Sequence, residues 1–153
     1  MNLIAKESHT GYKKDMKVYV FGNPDSFLDD RAFKVEKKLG GKVLGVEFVQ
    51  VKVNQDLPFA DNKNVVLLDT VSEIKNVEVF TIEPSSEKSL EKAPSFSRAS
   101  VHDFDLGFQL RYLQKIGKLG KVTIVGIPQK GSVNYLRIQS ILRKLVAQDM
   151  QGS

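Results

Sequence analysis

A chain of 153 residues, 41% hydrophobic and 27% charged, carries enough apolar material for one globular core and is neither a disordered tail nor a fibre. It contains no cysteine, so disulfides, thiolate metal sites and a cysteine nucleophile are excluded, and any metal must be held by imidazole and oxygen. The net charge of +5 comes from lysines and arginines scattered as Lys13-Lys14, Lys37-Lys38, Lys115, Lys118, Lys121 and Arg143-Lys144, without interleaved aromatic residues. That pattern reads as solvated faces and not as a nucleic-acid surface.

No apolar run approaches the roughly 20 residues needed to span a bilayer, and residues 1–15 lack the continuous apolar centre of a signal peptide. A cytoplasmic location without a membrane partner is expected. Residues 1–15 are polar with little periodicity and read as an N-terminal extension; residues 16–150 read as a single domain.

The first strand is expected from Met16 or Lys17 through the buried run Val18-Tyr19-Val20-Phe21, followed by a tight loop at Gly22-Asn23-Pro24. A helix follows over residues 31–39, with Ala32, Phe33, Val35 and Leu39 as its apolar stripe. Asp29 and Asp30 therefore stand at a helix N-terminus, where a carboxylate is favourable as a cap or against the helix dipole. Residues 46–53 are strongly β-like, with a change of phase at Val49 that a bulge or a change of burial would explain. Residues 54–64 read mostly as loop.

Val65-Val66-Leu67-Leu68 is a second continuous apolar run, with Asp69 at its carboxyl end. In open α/β sheets ligands bind outside the carboxyl ends of the strands, so Asp69 and the loop before Asp30 would share one rim if both strands run parallel. The plainer alternative is that Asp69 opens a turn toward Ser72. Residues 75–83 alternate as an edge strand closed by Pro84, and residues 85–100 form a long serine-rich connection without period. A helix entered near His102 carries Phe104, Phe108, Leu110, Leu113 and Ile116; a buried strand at residues 122–128 and a last helix over residues 134–148 complete the chain. Alternating strands and helices predict an α/β fold, a three-layer α/β/α sandwich of about five mostly parallel strands with an antiparallel edge strand.

Gly22-Asn23-Pro24, then Asp29-Asp30, an apolar strand ending in Asp69, Ser100-x-His102 at a helix start and Val125-Gly126-Ile127 together resemble the nickel-iron hydrogenase maturation protease family. The resemblance spans residues 17–145. It implies an endopeptidase that removes a C-terminal extension from a hydrogenase large-subunit precursor after nickel has been inserted. Carried over residue by residue, it implies Asp30, Asp69 and His102 as the catalytic and metal-binding set, with nickel supplied by the substrate, and leaves Asp29 a supporting or capping role. Two carboxylates and one imidazole also suit a mixed oxygen and nitrogen site with open positions. The family's glycine after the acid pair is replaced here by Arg31-Ala32-Phe33, and its glycine-rich loop by Val51-Lys52-Val53-Asn54-Gln55-Asp56.

A serine triad is not supported by Ser100, His102 and Asp103, whose adjacency does not orient a serine toward a histidine. Asp25, Asp29 and Asp30 would repel an anion from the Gly22 loop. The reading from another class is a non-catalytic, metal-dependent binding module or maturation chaperone of the same fold. In either case a monomer is expected.

Overall fold

Five strands form one sheet in the order β2-β1-β3-β5-β4, where β1 is Met16–Phe21, β2 Val46–Val51, β3 Asn62–Val71, β4 Glu78–Ile82 and β5 Leu119–Pro128. The computed structural model describes residues 15–21, 30–51, 62–84, 110 and 113–151. β1 pairs in parallel with both β2 and β3, β3 pairs in parallel with β5, and β4 closes the edge antiparallel to β5. The expected mixed sheet with one antiparallel edge strand is what forms.

The apolar runs explain the arrangement. β1 and β3 lie inside the sheet, and each carries an uninterrupted apolar run, Val18-Tyr19-Val20-Phe21 and Val65-Val66-Leu67-Leu68, that is buried on both faces. Alternation splits their side chains between two cores. Val18, Val20, Val66, Leu68, Val125 and Ile127 face one side, against Ala32, Val35 and Leu39 of α1 (Arg31–Leu39) and Ile138, Ile141 and Leu142 of α2 (Tyr135–Gln151). Tyr19, Phe21, Val65, Leu67 and Ile124 face the other, where Leu110 and Leu113 pack on them. Each such side chain contributes about 1.5–3 kcal/mol when fully buried.

Two expectations about β3 need correction. β3 does not stop at Leu68 but pairs with β5 as far as Val71, so Asp69 lies inside the strand, two residues before its end. β3 also begins at Asn62, where a loop had been expected. β2 pairs with β1 in unbroken register from Val46 to Val51, so the phase change at Val49 is a change of burial and not a bulge. α2 is one residue later at its start than expected and runs to Gln151. The loop at residues 22–29, the connection at residues 85–100 and the entrance of the helix at His102 lie outside the described residues. Among the described residues no helix is long and apolar enough to cross a membrane.

Candidate functional site at the carboxyl rim

The strand order reverses direction of connection between β1 and β3, and a crevice at the carboxyl ends of such strands is where open α/β sheets bind ligands. Both described acids of the expected set are at this rim. Asp69 pairs in register with Gly126 of β5, and Pro128, two positions further on, pairs with Val71. Asp30 is placed at the same rim by its neighbour, because Arg31 Nη1 donates to the carbonyl of Pro128 at 3.0 Å.

Asp69 is 1% exposed. Its Oδ1 accepts a hydrogen bond from the amide of Thr70 at 2.8 Å, which helps a carboxylate sit buried beyond the apolar run Val65-Val66-Leu67-Leu68. Alternation puts Asp69 on the face of Val65 and Leu67, whereas α1 lies on the face of Val66 and Leu68. The two carboxylates therefore approach the rim from opposite faces of the sheet. A shared ligand would sit across the rim and not on either face.

Asp30 stands at the N-cap position of α1 with φ −107° and ψ 2°, outside the extended conformation usual for a capping residue, and its side chain makes no cap hydrogen bond. Its carbonyl begins the helix by accepting from the amide of Lys34 at 3.1 Å. The carboxylate is 20% exposed; Oδ2 lies 3.6 Å from Lys34 Nζ, while Oδ1 is buried and has no hydrogen-bond partner among the described residues. The capping role expected of an acid here is thus not the role of Asp30. A buried carboxylate oxygen left without a donor is costly unless something supplies a positive partner.

Thr70 is a residue that sequence reasoning passed over. It is 2% exposed, its hydroxyl has no hydrogen-bond partner among the described residues, and alternation puts it on the α1 face of the same strand end. Arg31 is another: it was read only as a departure from a glycine, yet its guanidinium also donates from Nη2 to the carbonyl of Gly131. A hollow of about 490 Å³ opens beside this turn, bordered by Ser72, Glu73, Ile74, Lys75, Gln129, Lys130 and Gly131. Glu73 holds a left-handed φ of 68° there. A cavity of about 690 Å³ lies against the edge strand β2, lined by Phe33, Glu36, Phe48 and Gln50.

Gly126, part of the Val125-Gly126-Ile127 motif, has a packing role. A Cβ there would stand 2.9 Å from Val71 Cγ2 and 3.0 Å from Phe80 Cε2, so side chains of β3 and β4 close over the bare backbone beside Asp69. Among the described residues no three His, Asp or Glu side chains converge, and the third member of the expected set, His102, lies outside them, as does Asp29.

No protein-family pattern and no curated protein sequence matches the chain. Among solved structures, a hydrogenase 2 maturation peptidase from a Thaumarchaeota archaeon superposes with a TM-score of 0.52 at 19% identity, over 90% of this chain and 98% of that one. A protein from Wolinella succinogenes, of uncharacterised function, covers 90% of this chain and 97% of its own at 14% identity with a TM-score of 0.45. The first likeness establishes that this chain shares the overall fold of a maturation peptidase.

Proposed function

We propose that this chain is a metal-dependent endopeptidase of hydrogenase maturation: a cytoplasmic monomer that recognises nickel in a large-subunit precursor through Asp30, Asp69 and His102 and removes the precursor's C-terminal extension. The observation that carries this reading is Asp30, an acid at a helix start whose side chain makes no cap hydrogen bond and whose Oδ1 is buried without a donor among the described residues. The burial of Asp69 at the same rim and the shared fold of a maturation peptidase support it.

In this reading the nickel arrives with the substrate. Two carboxylates and an imidazole offer it hard and borderline donors and leave positions open. Asp30 and Asp69, approaching from opposite faces, would straddle the ion at the crevice, and His102 would supply the nitrogen. Their task is to orient the precursor so that one peptide bond is held near the rim, which converts attack by water into a nearly unimolecular step. A bound divalent ion can also polarise a carbonyl.

Incubation with nickel-loaded and nickel-free precursor tests the proposal. Clipping of the loaded form alone is the expected result. Equal clipping of both forms would refute nickel recognition, and nickel-dependent binding without clipping would replace the protease with a binding module.

A further inference from the structure

We infer that Arg31 is the positioning residue for the Asp30 carboxylate, acting by fastening the first turn of α1 to the carboxyl end of β5. This rests on the metal-recognition reading above and deepens it. Arg31 donates to Pro128 O at 3.0 Å and to Gly131 O, acceptors 97 and 100 residues away in the chain. Gly131 has φ 85°, a conformation that other residues rarely adopt and that shapes the turn carrying the second acceptor. A planar guanidinium can hold two carbonyls at once from fixed donors, whereas a lysine ammonium is a point charge on a flexible stem.

Among the described residues Asp30 has no comparable anchor of its own. Its side chain makes no cap bond, and its ion-pair partner Lys34 is 54% exposed at 3.6 Å, a contact that solvent screens. The place of the carboxylate therefore follows from where α1 begins, and the next residue determines that. Because Pro128 pairs with Val71, two positions beyond the Asp69–Gly126 pair, the fork ties the helix of Asp30 to the strand pair that carries Asp69. The separation of the two acids is thereby held through α1, β5 and β3. Ala32, Val35 and Leu39 keep the helix docked if the fork is lost, so its first turn can shift without the helix leaving the sheet.

The test is calorimetric titration with nickel(II) ion alone, with thermal melting of the same samples, on the wild type, Arg31→Lys and Gln114→Met. Gln114 donates from Nε2 to Ile82 O at 3.3 Å and Gly120 O at 3.0 Å, a staple of similar form at the opposite end of the sheet. Arg31→Lys keeps the charge and should raise the nickel Kd about 10-fold, the size of effect seen when a group supporting a ligand is removed. Gln114→Met should lower the melting temperature and leave Kd unchanged. Arg31→Gln serves in the same way should the lysine variant not fold. A wild type that binds nickel while Arg31→Lys binds it equally overturns this inference alone. A parallel loss of affinity in Gln114→Met overturns it too, by making affinity a readout of general stability. A wild type that takes up no nickel overturns the metal-site reading and this inference together.

Discussion

The two ends of the sheet use the same device and leave different remainders. At the amino end of β5, Gln114 joins Ile82 and Gly120 through their carbonyls, and this buried side chain uses its amide donor on both. At the carboxyl end, Arg31 joins Pro128 and Gly131, yet beside it Asp30 Oδ1 and Thr70 Oγ1 are buried without a hydrogen-bond partner among the described residues. One end is closed as a piece of structure. The other has buried polar atoms that no hydrogen bond among the described residues accounts for.

That contrast can be broken most sharply at Asp30. Asp30→Asn should weaken nickel binding by more than about 100-fold, beyond the range for a merely supporting group. The same variant should lose no more than about 0.5 kcal/mol of stability in urea unfolding, because the 3.6 Å ion pair with the half-exposed Lys34 is the one side-chain contact among the described residues that it weakens. A large loss of stability would make Asp30 a structural residue and erase the difference between the two ends.

Gly126→Ala comes next. The added methyl meets Val71 and Phe80 at 2.9 and 3.0 Å, so urea unfolding should show a loss of about 1–3 kcal/mol from overpacking. Since Gly126 flanks Asp69 in the ladder, a nickel Kd that stays unchanged in this variant would show that the site does not depend on that pairing. Gln114→Met should follow at about 1–2 kcal/mol, two hydrogen bonds to backbone carbonyls being lost, with no effect on metal.

The fold was more legible than the site, and particular residues explain why. The run Val18-Tyr19-Val20-Phe21 and the stripe Ala32, Val35, Leu39 declare a buried strand and a helix docked on it, because burial on two faces or one leaves its period in the sequence. Asp69 and Thr70 hid the end of β3, since both look like turn residues. The hydrogen bond from the Thr70 amide to Asp69 Oδ1 is part of how the strand carries them. The two staples join residues far apart in sequence, Arg31 with Pro128 and Gln114 with Ile82, and no local pattern announces such a pair. The acids were visible as candidates, but their approach from opposite faces follows from register, which a single sequence does not contain.

A smaller effect, set by pH, sharpens the same contrast. An imidazole ligand with an unperturbed pKa of about 6.5 binds metal only when neutral, so nickel affinity should fall as pH drops from about 7 to 5. His102→Ala should therefore flatten the profile as well as weaken binding, and a profile that keeps its slope would remove His102 from the set.

The most direct test of the central claim is a nickel titration that compares the two members of the acid pair, Asp29→Asn and Asp30→Asn, with the wild type. The account predicts that Asp30→Asn loses the ion while Asp29→Asn keeps most of the affinity. Equal loss in both variants, or loss in Asp29→Asn alone, would contradict it.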